Sequence, residues 1–243
     1  MDLGLEQAGL KCTFQVENDK HCLTILGRHW PDIPKNEIRP CLGLVGGDPC
    51  PIRSHLGKIS GSSSPDLSGY FLAMVARCKP RWILRENVHH PDAVEFDAAL
   101  GLLGYSNIIT RMDSKAFTGQ SRPREFVVSF DSKSASEKFS MVVARIVNSN
   151  FDKMLPKKQK AISCLTTHAR RCVSIFDCYV YEGQKKGIRC LTHTERESLQ
   201  GLPAGWTDGI PESARERTVG NAVTVLVARW LGERIKEAII NSK

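Results

Sequence analysis

The sequence predicts an α/β protein with a doubly wound sheet, because short apolar runs alternate with stretches of helical periodicity over the first 130 residues. Several runs are apolar on both faces, which is typical of strands buried between two layers of helices. We expect strands at residues 12–17, 42–45, 82–84, 106–112 and 126–130, with helices at 19–26, 67–76 and 93–102. Strand and helix thus form a repeated unit, as in doubly wound domains generally.

The pattern changes after residue 130, where a second, smaller lobe is expected to begin. A Ser/Lys-rich helix candidate at 134–147 precedes a basic segment from Lys153 to Arg189, whose nine Lys/Arg and two acidic residues give +7 of the chain's +8. Thr192 and Glu195 match a capping box, so a short helix should begin there and end near Gly201. An amphipathic helix at 221–240 should pack back on the sheet. The expected divisions are a first domain at 1–130, a small lobe at 131–211 and a returning helix at 212–243.

Composition limits the class of protein. With 243 residues and 41% hydrophobic composition, the chain is long enough to bury one core. The net charge of +8 favours a polyanionic partner, although an ordinary basic surface would give the same composition. The nine cysteines include no C-x-x-C pair, so we expect reduced thiols, an intracellular location and no metal site. The sequence shows neither an apolar run of membrane-spanning length nor an export signal, so no membrane association is expected.

Three short motifs carry residues suited to covalent chemistry on a pyrimidine ring. Gly46-Gly47-Asp48-Pro49-Cys50 ends an apolar run, at the kind of strand-to-loop junction that carries active-site groups in doubly wound sheets. Glu86-Asn87-Val88 follows another expected strand, and Gln120-Ser121-Arg122-Pro123-Arg124 precedes a third. These motifs offer a thiolate nucleophile, a carboxyl that can share a proton, and guanidinium groups. Because the two arginines are two apart on a strand, they should point to the same face.

These motifs, followed by L-T-x-x-E-x-x-x-L-Q-G-x-P and G-N-A-V, occur in the order found in DNA (cytosine-5) methyltransferases. The chain therefore resembles this family from Gly4 to its final helix, except in the segment between 131 and 188. The resemblance implies a Rossmann-like, S-adenosylmethionine-dependent methyltransferase fold with a small target-recognition lobe. It also implies double-stranded DNA as substrate and flipping of the target base, since C5 of cytosine is inaccessible in a stacked duplex.

The resemblance assigns catalytic roles to four residues. The Cys50 thiolate would add to C6 of cytosine, C5 would take the methyl group, and loss of the C5 proton would then expel the thiol. Glu86 would engage N3 and the amino group of the base, Arg124 would grip O2, and Arg122 would support the strand. The alternatives are a buried structural cysteine at position 50 and a helix-capping glutamate at position 86.

Contacts with S-adenosylmethionine are also implied by the resemblance. Glu17 is similar to the acidic residue that binds ribose hydroxyls, and Glu37-Ile38 takes the place of the pair that reads adenine. Asn221 matches the G-N-A-V motif whose helix lines the cofactor pocket, with a helix N-cap as the alternative. Pro49, beside the nucleophile, completes the expected cofactor set.

Contacts with DNA are expected from the catalytic loop and the basic segment. Ser54 resembles the serine of the family's catalytic loop, and Gln120 is expected both near DNA and as a support of the active-site strand. The expected phosphate contacts are Lys157, Lys158, Arg170, Arg171, Lys185 and Lys186. An ordinary solvated basic surface is the alternative for these six residues.

The family opens with a strand and a glycine-rich turn that holds the cofactor, whereas this sequence starts at Met1 just beyond such a turn. The expected consequences are a missing first central strand, N-terminal truncation and poor binding of S-adenosylmethionine. The leading hypothesis is a monomeric DNA cytosine-5 methyltransferase of restriction-modification type, with a cognate nuclease as a candidate partner. The alternatives are a catalytically inactive DNA-binding remnant and a tRNA cytosine methyltransferase.

Overall fold

The computed structural model describes residues 1–47, 67–89, 93–148, 162, 164–165 and 179–240. In chain order the elements are α1 (Asp2–Gln7), α2 (Lys20–His29), β1 (Gly43–Gly46), α3 (Ser68–Cys78), β2 (Trp82–Asn87), α4 (Ala93–Leu102), β3 (Ser106–Asp113), α5 (Lys115–Thr118), β4 (Pro123–Phe130), α6 (Lys133–Asn148), β5 (Tyr179–Tyr181), β6 (Ile188–Cys190), α7 (His193–Leu199), α8 (Glu212–Asn221) and α9 (Val225–Ile240). Strands and helices alternate from β1 to α6, which confirms the α/β class expected from the sequence.

The central sheet has the strand order β1-β2-β4-β3. Strands β1 and β2 are parallel, with Gly46 opposite Arg85, whereas β4 runs antiparallel to both of its neighbours. The chain leaves β1 and returns to the sheet through α3, so the carboxyl ends of β1 and β2 lie side by side. The motif that follows β1 and the motif that ends β2 are therefore brought to the same edge of the sheet.

Each face of the sheet is covered by helices. Leu84 and Phe126 point to one face, where they pack with residues of α1, α6 and α9, including Leu231. Ile83 and Val127 point to the other face, against residues of α3 and α4. The alternation arises because successive side chains of a strand point to opposite faces. Strands β2 and β4 are thus packed from two sides.

The expected strand at 12–17 is wrong. Gln15 forms only an isolated parallel bridge with Lys35, through hydrogen bonds to Pro34 and Asn36. None of the described strands continues the pairing of residues 12–17, so their pairing is limited to this one bridge. Within the described residues, no strand pairs with the outer edge of β1.

Helix α6 packs against the central sheet. Phe139 of α6 is completely buried and its ring lies 5.6 Å from that of Phe130 in β4. The expected domain boundary at residue 131 falls between β4 and this helix, and it stays a prediction. In the described part beyond α6, strands β5 and β6 form a separate two-stranded sheet. No helix in the described ranges is long and apolar enough to cross a membrane.

Candidate active site

Glu86 and Arg124 form a buried ion pair at the carboxyl end of β2. Glu86 lies opposite Phe126 in the antiparallel register, so Arg124, two residues away on β4, is its diagonal neighbour on the same face. The Nε atom of Arg124 is 3.2 Å from Oε1 of Glu86, and the two side chains are 18% and 10% exposed. The structure therefore brings together the carboxyl and the guanidinium that the sequence predicted to act on one base.

Arg122 lies just before β4 and is more deeply buried than Arg124. It is only 3% exposed, and burial lowers its pKa, an effect that repulsion from Arg124 increases and that Cys164 and Glu86 oppose. Its Nη1 atom contacts the sulfur of Cys164 at 3.3 Å, while Nη2 of Arg124 lies 3.8 Å from the same sulfur. Both guanidinium groups thus reach one sulfur atom, although only Arg124 lies within the strand on which the sequence placed both arginines.

Gly47 passes directly over Glu86. A Cβ atom at this position would lie 3.1 Å from Oε2 of Glu86 and 3.3 Å from its carbonyl oxygen. The main chain can approach this closely only because glycine has no side chain. The segment that leads toward Cys50 therefore starts against the candidate catalytic carboxyl. Cys50, Pro49 and Ser54 themselves lie outside the described residues.

Gln120 is a structural support rather than a surface contact. It is completely buried, its Oε1 accepts from the amide of Leu165 at 3.0 Å, and its Nε2 donates to the carbonyl of Leu199 at 3.2 Å. This corrects the expected contact with DNA, because the side chain has no exposed surface, and it agrees with the expected support of the active-site strand. Gln120 thereby joins β4 to α7 and to the segment that carries Cys164.

Two residues at this site were missed in the sequence. Cys164 lies in the basic segment, where no pattern distinguishes it from the other cysteines. Glu125 separates Arg124 from Phe126, and its buried carboxylate contacts Nδ1 of His89 at 2.7 Å. Alternation along β4 could have placed Glu125 on the opposite face from Arg124, but its partner could not be deduced. The His89 contact fixes the chain just after Glu86.

The expected cofactor residues converge only in part. The amide of Glu17 donates to Oδ1 of Asn36 at 2.9 Å, so Glu17 lies near the Glu37-Ile38 pair. Glu37 is occupied by an exposed ion pair with Arg39 at 2.9 Å. Ile38 is half-buried.

Asn221 ends α8 and is exposed, so it is not the N-cap of the final helix, which begins at Val225. Arg217, one helical turn earlier, pairs with Asp19 at 3.2 Å, which brings this end of α8 toward the segment that carries Glu17. Gln200, of the L-Q-G motif, donates to the carbonyls of Val219 and Ala222 and so holds the turn at Asn221.

Glu17 retains an oxygen that fits a ribose hydroxyl. Its Oε1 accepts from the amides of Asn18 and Asp19 at 2.8 and 2.9 Å, which fixes the carboxylate at the start of α2. Within the described residues, no hydrogen bond engages its Oε2. An oriented carboxylate with one open acceptor is the chemistry that hydroxyl donors require. The open carboxylate oxygen of Glu17 is thus compatible with the binding of a nucleoside.

Lys185 and Lys186 lie in the exposed turn between β5 and β6. The hairpin is fixed to α7 by Arg189, whose Nη1 and Nη2 contact both carboxylate oxygens of Glu195 at 2.8 and 2.9 Å. The expected capping box of Thr192 and Glu195 is confirmed at the start of α7. The other expected phosphate contacts, Lys157, Lys158, Arg170 and Arg171, lie outside the described residues.

Comparison with known sequences gives one family. The family model described as C-5 cytosine-specific DNA methylase matches residues 1–170 and 145–237. The type II methyltransferase M2.BsuMI of Bacillus subtilis is 27% identical over 98% of this chain and 72% of its own length. The type II methyltransferase M.DsaV of Dactylococcopsis salina is 23% identical over 97% of this chain and 82% of its own length.

Comparison with solved structures supports the fold. The Entamoeba histolytica methyltransferase EhMeth aligns with a TM-score of 0.71 at 15% identity, covering 98% of this chain and 96% of that chain. The Dnmt2 methyltransferase of S. pombe aligns with a TM-score of 0.67 at 16% identity, covering 98% and 95%. Sheet and helices are therefore arranged as in methyltransferases with a Rossmann-like fold.

Proposed function

The chain belongs to the family of C-5 cytosine-specific DNA methylases, and on this premise we propose that it transfers a methyl group from S-adenosylmethionine to C5 of a cytosine flipped out of duplex DNA. The observation that carries the proposal is the buried pair of Glu86 and Arg124, 3.2 Å apart beneath Gly47. Gly47 is the last described residue before Cys50.

The spacing of the pair suits one edge of cytosine. N3 and O2 are neighbours on the ring, so a carboxyl and a guanidinium in contact can face them together. Glu86 in its protonated form would donate to N3 and accept from the amino group, while Arg124 would donate to O2. Thymine presents a donor at N3 and a carbonyl at position 4, so the same pair would leave its groups unmatched. The pair thus favours cytosine.

The covalent step follows from this hydrogen bonding. Donation to N3 and O2 withdraws electrons from the ring, so the Cys50 thiolate adds to C6 and the electron pair moves toward C5. S-adenosylmethionine, when bound, would supply the methyl group to C5 as an electrophile, and its sulfonium would leave as the neutral thioether of S-adenosylhomocysteine. C5 then loses its proton to a base, the bond between sulfur and C6 breaks, and the Cys50 thiolate is restored. Glu86 regains its proton when the ring returns to neutral cytosine.

Glu17 and Asn221 are the residues that we propose for the cofactor. The open Oε2 atom of Glu17 would accept from a ribose hydroxyl. Asn221 would face the same region, because Arg217 and Asp19 hold its helix beside α2. Glu37 would need to release Arg39 before it could read adenine, so Ile38, by packing, is the better contact of that pair.

Double-stranded DNA is the substrate that we propose, within a restriction-modification system. The exposed lysines of the β5–β6 hairpin offer charge to phosphates. Competition separates this substrate from RNA: an excess of unlabelled duplex DNA should suppress methyl transfer to labelled duplex, whereas an excess of tRNA should not. Suppression by tRNA alone would assign the site to RNA.

Trapping with 5-fluorocytosine tests the covalent step. Fluorine at C5 cannot leave as a proton does, so the adduct should persist when mixed-sequence duplex containing this base is incubated with the protein and cofactor. Mass spectrometry of proteolytic peptides should locate the adduct on Cys50 and find none in Cys50→Ala, whereas Cys78→Ala should still form it. An adduct on another cysteine, or methyl transfer without any adduct, would overturn the mechanism.

A further inference from the structure

Cys164 contacts both arginines of the candidate active site. Its sulfur lies 3.3 Å from Nη1 of Arg122 and 3.8 Å from Nη2 of Arg124. The thiol donates its own proton to the carbonyl of Leu165 at 3.5 Å. The sulfur lone pairs are therefore directed toward the two guanidinium groups, for which sulfur is a weak acceptor.

The position of Cys164 is fixed by its neighbours. The amide of Ser121 donates to the carbonyl of Ile162 at 2.8 Å, and the amide of Ile162 donates to the carbonyl of Gly119 at 3.0 Å. Leu165 is 3% exposed and its amide is held by Gln120. Hydrogen bonds on both sides of Cys164 thus attach its segment to the residues just before β4.

The two arginines need an acceptor such as the sulfur of Cys164. Arg124 lies at the start of β4 and Arg122 just before it, the two guanidinium groups repel each other, and Arg122 is almost completely buried. The only ion pair between these arginines and a carboxylate of the described residues is that of Arg124 with Glu86. Nε of Arg122 has no hydrogen-bond partner within the described residues. Arg124 also donates from Nη1 to the carbonyl of Pro123 at 2.7 Å, whereas the sulfur of Cys164 is the one hydrogen-bond acceptor that the described residues offer to the side chain of Arg122. Without the sulfur, Arg122 would lose this acceptor, and Nη2 of Arg124 would lose the contact that aligns it with Arg122.

We infer that Cys164 is a positioning residue, which holds the guanidinium groups of Arg122 and Arg124 in the orientation that receives O2 of the target cytosine. This role rests on the proposed function.

The kinetic test compares two substitutions of Cys164 with one substitution of Cys78. Cys164→Ser keeps an acceptor, Cys164→Val fills the space without one, and Cys78→Ala is the matched control, since Cys78 contacts neither arginine. Single-turnover methyl transfer to duplex DNA should fall on the order of tenfold in Cys164→Val and remain within about twofold in Cys164→Ser. The Kd for DNA should be unchanged in all three, because the arginines act on the flipped base.

A second readout does not depend on activity. In nitrogen-15 NMR spectra, the Nε–H signals of Arg122 and Arg124 should be sharp in the unsubstituted protein and in Cys164→Ser, and broadened in Cys164→Val. Sharp signals in Cys164→Val, or equal loss of methyl transfer in Cys164→Ser and Cys164→Val, would overturn the positioning role. If Cys164→Val does not fold, Cys164→Ala is judged by the same criteria. An unsubstituted protein without methyl transfer would contradict the proposed function, while the NMR comparison would still decide the role of Cys164.

Discussion

Nε of Arg124 lies 3.2 Å from Oε1 of Glu86, with both side chains largely withdrawn from solvent. A buried ion pair adds little net stability, because desolvation of the two charges offsets most of their attraction. Stability therefore does not explain why the two charges are buried, whereas their position beneath Gly47 offers a functional reason. If the edge of a cytosine replaced the direct contact between Arg124 and Glu86, it would meet a donor and an acceptor that are already oriented.

Glu86→Gln tests the proton at N3. The substitution keeps the size of the side chain and its ability to accept from the amino group, but it removes the acidic proton. We expect the rate of methyl transfer to fall about 10²- to 10⁴-fold, with the Kd for duplex DNA changed less than threefold. Single-turnover transfer of labelled methyl and fluorescence anisotropy measure the two quantities. An equal loss of binding and rate would show that Glu86 holds DNA instead.

Gly47→Ala tests the close approach to Glu86. The new Cβ would lie 3.1 Å from Oε2, so either the carboxyl or the following segment must shift by a few tenths of an ångström. We expect the rate of methyl transfer to fall on the order of tenfold, with a change in Tm of less than about 3 °C.

Gly101→Ala, in α4, is the control for Gly47→Ala. A Cβ at this position meets no atom within 4 Å, so the substitution should leave the rate unchanged and stabilise the helix by roughly 0.5 to 1 kcal/mol. A normal rate in Gly47→Ala would show that the contact with Glu86 has no part in the chemistry.

Glu197→Ala should destabilise the fold. This completely buried carboxylate accepts from the amides of Gly205 and Thr207 and from Arg215. Removing it leaves the two amides without their acceptor, while Arg215 keeps its ion pair with Asp208 at 2.7 Å. We expect a cost of about 2 to 6 kcal/mol, or roughly 1 to 3 kcal/mol for each unsatisfied amide. Urea unfolding should show this loss, whereas Glu237→Gln, at an exposed position, should change stability by less than about 0.5 kcal/mol. A small loss in Glu197→Ala would mean that water replaces the carboxylate.

Glu195→Gln should alter stability in acid. Hydrogen bonding from Arg189 lowers the pKa of Glu195 from 4.5 to about 2, so its contribution is complete above pH 4.5 and is lost as pH falls toward 2. The side chain is 38% exposed, so we expect no more than about 1 kcal/mol at pH 7. Glutamine retains the capping hydrogen bond.

Urea unfolding at pH 7 and pH 3 therefore measures the charge of Glu195 alone. The difference in stability between the unsubstituted protein and Glu195→Gln should shrink at the lower pH. A constant difference would assign the effect to packing.

The sequence predicted the parts of the site that depend on strand periodicity. The strands expected at 42–45 and 82–84 are found as β1 and β2, and Arg122 and Arg124 reach one sulfur atom as their spacing of two suggested, although only Arg124 lies within β4. The strand expected at 12–17 failed because a strand also needs a neighbour, which local pattern does not reveal. Cys164 and the burial of Gln120 were beyond the sequence, since both depend on contacts between segments about 40 residues apart.

The central claim is tested most directly by transfer of labelled methyl from S-adenosylmethionine to mixed-sequence duplex DNA. The unsubstituted protein, Cys50→Ala and Glu86→Gln are compared, and the product base is identified after digestion. We expect 5-methylcytosine from the unsubstituted protein, none from Cys50→Ala and a strongly reduced yield from Glu86→Gln. Undiminished 5-methylcytosine from Cys50→Ala, or none from the unsubstituted protein at saturating cofactor, would contradict the account.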